Sequence, residues 1–231
     1  MSLTNLLEEV LPELKLSDEL TPQESYVQNA NASITSTVRS GGKFRRARLC
    51  DLCVPGKFTA ETLVIYPEPE YDFSIFGCEY LTIGQSKFFG AIDFHPISKT
   101  QDYAKDYLAG FPDTTKTNSK FYNLSEFFSS KFWIDKRDAD FYAEYIYVVE
   151  EYLYAYKLAS DEAKPIANSM PAQVAYDTHM AVNDPAWGIL KAYFSSNFAE
   201  HYIRNFLFKE SEQWALFMSN PMPSIRSAHL R

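Results

Sequence analysis

Glycine and cysteine are both scarce in this chain, with 8 and 3 copies in 231 residues. No G-x-G-x-x-G and no other Gly-rich phosphate loop occurs, so the sequence shows no backbone cradle for a nucleotide or a flavin. G-x-S-x-G and H-E-x-x-H are also missing, which removes the nucleophile elbow and the zinc-protease helix. A redox enzyme built on this chain would have to take its electrons from an outside carrier. Basic residues are outnumbered, 22 Lys and Arg against 30 Asp and Glu, for a net charge of −8. A nucleic-acid binder carries a basic footprint, so that class loses weight. No apolar run approaches the ~20 residues that cross a bilayer. The opening Met-Ser-Leu-Thr-Asn-Leu-Leu-Glu-Glu has neither a basic start nor a cleavable apolar stretch, so no signal peptide is expected and the location reads as cytoplasmic.

The cysteines exclude little by themselves. Cys50 and Cys53 form a C-x-x-C, but no histidine lies near them in sequence to complete a zinc site. The segment from Phe44 to Val54 reads as a strand, where residues three apart face opposite ways, so the two sulfurs should diverge. No metal site is expected.

Aromatic residues are abundant: 18 Phe, 16 Tyr and 3 Trp make up 16% of the chain. They suit either an aromatic core or the lining of a flat pocket for a large conjugated ligand.

The length suits one domain spanning residues 1–231. Residues 3–15 read as a short amphipathic helix, and Ala32–Val38 as extended. Strands are expected at Phe44–Val54, Thr59–Tyr66, Phe73–Ile83 and Phe88–His95, with short connections that make them antiparallel. Thr100–Ala109 and Leu124–Ser130 read as short helices, and Lys131–Asp135 as a short extended piece. Asp138–Ala159 reads as a long helix with Phe141, Tyr145, Val149, Tyr152 and Tyr156 on one stripe. Residues 162–182 look broken by Pro165 and Pro171. A last long helix is expected from Pro185 to about Phe208, and an irregular tail after Lys209. The strands near residue 80 are apolar on both faces, so both should be covered. The expected fold is α/β, a three-layer α/β/α sandwich around a mainly antiparallel sheet.

Three acids stand out. Glu79 shares a strand face with Phe73, Ile75, Leu81 and Ile83. There it would be a carboxyl with a raised pKa, suited to general acid work, or a strand-end partner for a cation such as Arg46. Asp184 precedes Pro185 and suits a helix start, a role that also fixes a carboxyl in place. With a two-residue loop in the Gly84–Lys87 turn, Glu79 would pair with Ile92. Asp93 would then face the other way, and Asp93 and His95 read as structural.

The ordered segments Phe44-Arg45, Tyr66-Pro67-Glu68-Pro69-Glu70-Tyr71, Phe76-Gly77-Cys78-Glu79, Ala91-Ile92-Asp93-Phe94-His95-Pro96, Asn183-Asp184-Pro185 and Asn205-Phe206-Leu207-Phe208 resemble those of the ferredoxin-dependent bilin reductases. The resemblance covers residues 43–208. It implies biliverdin as substrate between the sheet and the C-terminal helices, reduced ferredoxin as electron donor, radicals carried by the bilin, and no metal or flavin. It further implies catalytic roles for Glu79 and Asp184, and substrate contacts from Thr62, Asn183 and Trp187. Glu79 departs from the aspartate of known members, which moves the acid outward by one C–C bond, about 1.5 Å. The phycocyanobilin-forming branch has a histidine at the position of Thr62 and a glutamate at that of Cys50. The pattern therefore resembles a compact viral-type form, acting in a host cytoplasm, that makes phycoerythrobilin from biliverdin in two two-electron steps. Phycocyanobilin, 15,16-dihydrobiliverdin, a non-catalytic bilin carrier, and a structural protein with an aromatic core and no bilin affinity are the alternatives. Ferredoxin is acidic, so docking needs a basic patch. Lys43, Arg45, Arg46 and Arg48 form the densest run, and Lys131, Lys136 and Arg137 a second. A monomer is expected, with no nucleic-acid or membrane partner.

Overall fold

The computed structural model describes residues 1–113, 127–165 and 168–211. Eight strands join in one sheet: β1 (Lys15–Leu16), β2 (Tyr26–Gln28), β3 (Ser33–Gly41), β4 (Phe44–Val54), β5 (Phe58–Pro67), β6 (Ile75–Ile83), β7 (Lys87–His95) and β8 (Trp133–Arg137). They run in the order β1-β3-β4-β5-β6-β7-β8, with β2 also on β3, and every pair is antiparallel. The helices are α1 (Leu3–Val10), α2 (Pro22–Ser25), α3 (Tyr103–Tyr107), α4 (Tyr142–Glu162), α5 (Met170–Asn183), α6 (Ala186–Tyr193) and α7 (Ser196–His201), followed by a π-helical segment, Tyr202–Leu207. The expected three-layer sandwich is what forms. One face of the sheet meets α1, α3 and α4; the other meets α5, α6, α7 and the π-helical segment.

The first face is a closed aromatic core. Phe76, Cys78 and Tyr80 alternate inward from β6, and Ile92 and Phe94 from β7. They meet the stripe of Tyr145, Val149, Tyr152 and Tyr156 on α4. The Tyr156 ring lies 5.3–5.8 Å from those of Phe44, Phe73, Phe76 and Phe94. Its hydroxyl donates to the Ser74 carbonyl at 2.9 Å, so the buried phenol is satisfied. Much of the aromatic excess is therefore structural.

The C-terminal layer is more broken than its periodicity suggests. The apolar repeat at Leu190, Phe194, Phe198, Tyr202 and Phe206 predicts one helix, yet α6 stops at Tyr193. The Ser195 hydroxyl then accepts the Phe198 N–H at 3.1 Å and starts α7. A serine that can cap offers the backbone an alternative to continuing the helix. Conversely, residues 170–183 form a helix despite Pro171, because that proline sits in the first turn, where its missing N–H costs nothing. Residues 127–130 form bends and a turn, not a helix. The rest of the expected Leu124–Ser130 helix, and the tail from residue 212, lie outside the described residues.

The Tyr66-Pro67-Glu68-Pro69 segment docks α5. Ser169 N–H and Gln173 Nε2 donate to the carbonyls of Pro69 and Pro67, at 2.7 and 3.2 Å. Tyr66 hydroxyl donates to Asp177 at 2.8 Å. Across the molecule, Lys43 Nζ donates to the carbonyls of Ser160, Asp161 and Ala163 at 2.6, 3.2 and 2.9 Å, at the C-terminal end of α4. A cation there satisfies orphan carbonyls and complements the helix dipole. Replacing Lys43 with Met should therefore lower stability by about 1–2 kcal/mol, read as the shift in a urea unfolding curve. An unchanged midpoint would show that solvent serves these carbonyls equally well.

Candidate active site

A cavity of about 360 Å³ opens between the second face of the sheet and the C-terminal helices. Its floor follows from strand register. Ser36, Cys50, Thr62, Glu79 and Ala91 are successive cross-strand partners on β3 to β7. The neighbouring row runs Val38, Arg48, Val64, Gly77 and Asp93. A third row, Ile34, Leu52, Ala60, Leu81 and Phe89, is apolar. Opposite the floor stand Tyr176 and Met180 of α5, Asp184 and Pro185 between helices, Ile189 and Leu190 of α6, and Tyr202, Leu207 and Phe208. Apolar walls with a few polar groups are the usual character of a small-molecule site.

Glu79 sits mid-strand and half-buried, and it lines the cavity. It is not at a strand end, and the cation considered for it is committed elsewhere: Arg46 Nε pairs with Glu19 at 2.8 Å. Asp184 lines the opposite wall. Its carboxyl accepts the Ala186 N–H at 2.7 Å, so it caps the turn between α5 and α6. Burial raises its pKa, against the opposing pull of that hydrogen bond and of Arg48.

The structure corrects the face on which Asp93 and His95 lie, while their hydrogen bonds to Ser129 and Phe127 are of the structural kind expected. Ile83 pairs with Lys87, so the hairpin loop has three residues, Gly84-Gln85-Ser86, with Gly84 at φ +66°. Glu79 therefore faces Ala91 rather than Ile92, and Asp93 falls on the cavity face. One residue of loop length moves every side chain of a strand to the other face. A signal was available. Ile92 and Phe94 are the wholly apolar alternates of β7 and belong in the closed core, which leaves Asp93 and His95 for the cavity.

Asp93 and His95 are both buried, with Asp93 Oδ2 3.4 Å from His95 Nδ1. Asp93 accepts from the Ser129 N–H at 3.0 Å and from the Ser129 hydroxyl. His95 Nδ1 lies 2.9 Å from the Phe127 carbonyl, which can only accept, so Nδ1 carries the proton. Burial raises the Asp93 pKa and lowers that of His95, and each opposes the other's shift. The His95 ring occupies the space beside Gly77. A Cβ on Gly77 would lie 2.5 Å from His95 Nε2.

Of the substrate contacts expected from sequence, Thr62 lines the floor between Cys50 and Glu79. Asn183 and Trp187 do not line the cavity. Asn183 is exposed and donates to the His179 carbonyl at 2.8 Å, and Trp187 is 39% exposed. Both flank Asp184, but the chain extends at Asp184 (φ −63°, ψ 126°), so its neighbours point elsewhere. Cys50 is on the cavity floor and Cys53 is half-buried three residues on, facing away as strand alternation requires. Among the described residues, no group of three or more His, Cys, Asp or Glu is placed to hold a metal ion.

Comparison with known proteins decides the family: the profile described as ferredoxin-dependent bilin reductase matches residues 2–209. The chain belongs to the ferredoxin-dependent bilin reductases. It is 30% identical to a 15,16-dihydrobiliverdin:ferredoxin oxidoreductase of Nostoc punctiforme, over 68% of this chain and 70% of that one. It is 28% identical to a Prochlorococcus marinus protein of the same name, over 82% and 86%. Phytochromobilin synthase from tomato, solved in complex with biliverdin, shares the fold at a TM-score of 0.72 and 18% identity, over 91% of this chain and 82% of that one. The protein is thus a ferredoxin-dependent oxidoreductase that reduces a bilin.

In this bilin reductase the basic run expected to meet ferredoxin is turned inward. Arg46 is 1% exposed and donates to the Phe206 carbonyl as well as pairing with Glu19. Arg45 bonds Gln173 at 2.7 Å and Glu210 at 2.8 Å. Lys43 caps α4, and Arg48 lines the cavity. Arg45 and Arg46 hold the C-terminal layer to the sheet, Lys43 holds α4 on the other face, and the run does not form a surface patch. In the second run, Lys131 is buried and donates to the Phe111 carbonyl, Arg137 pairs with Asp135 and Glu144, and Lys136 is exposed. No helix among the described residues is long and apolar enough to cross a membrane.

Two outcomes follow for the reductase. Gly77→Ala forces the new methyl against His95 and should cost about 1–3 kcal/mol. In a His95→Ala background the same change should cost clearly less, as read from urea midpoints; equal costs would mean that His95 is not the obstacle. Burial pushes Asp177 up to about 6, while the Tyr66 hydroxyl and Glu210 N–H pull it down. A carboxyl raised in the native state contributes stability below its unfolded value near 4 and loses it as pH rises through 6. The stability difference between the native chain and Asp177→Asn should therefore fall between about pH 4 and pH 6, and a flat or rising difference would contradict the assignment.

Proposed function

We propose that the cavity binds biliverdin IXα and that the chain reduces it in two two-electron steps to phycoerythrobilin. The observation carrying this reading is the presence of carboxyls on facing walls of one apolar cavity: Glu79 and Asp93 on the floor, Asp184 across from them. Ferredoxin gives one electron at a time. Each pair of electrons must be matched by two protons before a carbon–carbon double bond becomes a single bond. Glu79 donates first, to the bilin above the centre of the sheet, making it a better electron acceptor. Asp184 protonates a later radical from the helix side, at a methine bridge or the end-ring diene. Each carboxylate then regains its proton from solvent, so the protein ends each cycle unchanged.

A carboxyl whose pKa is raised by burial keeps its proton to a higher pH than a free one, because its charged form is less stabilised, and this suits proton donation when charge develops nearby. The burial that raises Asp184 is of this kind. Glu79 reaches further than aspartate would, which shifts the atom it can protonate. Thr62 and Cys50 beside it supply no titrating histidine or carboxylate, so this acid works without the neighbours of the phycocyanobilin-forming branch. The reading treats the chain as one catalytic domain acting as a monomer.

A second reading stops after the first step, at 15,16-dihydrobiliverdin. The names of the Nostoc and Prochlorococcus relatives favour it.

An anaerobic assay with biliverdin, ferredoxin and a ferredoxin-reducing system separates these readings by product absorbance and chromatography. Phycoerythrobilin supports the two-step reading, and an end at 15,16-dihydrobiliverdin supports the second. Phycocyanobilin, or a stable complex that never turns over, would overturn both. Glu79→Gln should bind biliverdin but lose at least ~100-fold in turnover, the scale of a missing general acid; normal turnover would remove Glu79 from the mechanism. Asp184→Asn should halt at an intermediate colour, and an unchanged product would remove that residue.

A further inference from the structure

Arg48 is the one arginine of the basic run that, among the described residues, has no carboxylate partner, and unlike Lys43 it has no carbonyls in a carboxylate's place. It lies on β4 at the cavity floor, 4% exposed, in the row that ends at Gly77 and Asp93. Its neighbours on the strand are matched: Arg45 to Glu210 and Arg46 to Glu19, each at 2.8 Å. Among the described residues, no carboxylate forms an ion pair with Arg48, and its Nε is buried with no hydrogen-bond partner. The Phe208 ring of the opposite wall lies 5.1 Å from the guanidinium carbon, a cation–π contact that leaves the charge without a counter-ion. Asp177, nearby, is already occupied by the Tyr66 hydroxyl and the Glu210 N–H. A buried guanidinium cannot shed its proton, and an unpaired buried charge is costly. Such a group on a cavity floor is matched when something else enters.

The cavity lining offers few other cations. His95 lines it, but its Nδ1 proton is committed to the Phe127 carbonyl and burial disfavours its charged form. A bilin, by contrast, is rich in acceptor oxygens: two propionate carboxylates and two terminal lactam carbonyls.

We propose that Arg48 is the docking point for an acceptor oxygen of the bilin, a propionate carboxylate or a terminal lactam carbonyl. The proposal rests on the bilin reading of this cavity and deepens it. Docking at Arg48 sets how far along the floor the tetrapyrrole lies, and so which ring stands over Glu79 in the adjacent row. Arg48 is in this sense a positioning residue. Its Nε–H and one terminal N–H present two parallel donors, a geometry that a lysine cannot reproduce.

The test is an absorbance titration without ferredoxin, using biliverdin and biliverdin dimethyl ester on the native protein, Arg48→Met and Arg48→Lys. Near-UV circular dichroism checks the fold of each. Arg48→Met should raise the Kd for biliverdin about tenfold or more, the scale of a lost hydrogen bond to a charged group. Arg48→Lys should recover only part. If the loss appears with biliverdin and not with the ester, the oxygen belongs to a propionate. If both pigments weaken alike, it belongs to a lactam. Should Arg48→Met fail to fold, Arg48→Lys carries the test through the missing Nε–H, with a Kd raised several-fold. Unchanged affinity for both pigments in a folded variant would overturn the role of Arg48. No pigment binding by the native protein would overturn the bilin reading itself.

Discussion

Cross-strand register is the constraint on which the rest depends. On β4 to β7 each side chain has one of two destinations, the closed core under α4 or the cavity under the C-terminal helices. Phe76, Cys78, Tyr80, Ile92 and Phe94 fill the first so completely that no one-residue slip is tolerable. Any slip would drive Glu79 and Asp93 into the aromatic stack around Tyr156. The dense side of the sheet therefore sets the polar side. Cys50, Thr62 and Glu79 are neighbours because their alternates are locked in place beneath them.

The second layer is held by charge as well as by apolar contact. Arg45 and Arg46 reach from β4 to Gln173, Glu210, Glu19 and the Phe206 carbonyl, while Tyr66 reaches Asp177. These bonds fasten α5 and the π-helical segment at one end of the cavity. Farther along, Asp184 closes the turn between α5 and α6. The cavity remains between a floor set by register and a wall fixed at defined points. Its acids are thus aimed at one volume while having no need to touch each other.

Much of this was legible in the sequence, and the failures have physical causes. The four central strands, the α4 stripe and the double-sided sheet follow from periodicity, because alternation and 3.6-residue spacing report burial directly. Glu79 stood out because it interrupts an apolar face. The facing of Asp93 and His95 was misread because loop length, three residues instead of two, is invisible to alternation within a single strand. Lys43 to Arg48 looked like a surface patch because a run of charges says nothing about partners distant in sequence, such as Glu19 and Glu210. Asn183 and Trp187, substrate contacts implied by the family resemblance, do not line the cavity, because the chain extends at Asp184 and turns its neighbours away. The continuous helix expected from Pro185 to Phe208 ends at Tyr193 because a capping serine outcompetes an apolar repeat.

The central claim is that one cavity face, set by the register of β4 to β7, receives the pigment. A structure of the biliverdin complex tests it most directly. The account predicts the tetrapyrrole lying on the row of Cys50, Thr62 and Glu79, with Asp184 on its far side. A pigment held against α4, or at the protein surface away from Glu79, would contradict it.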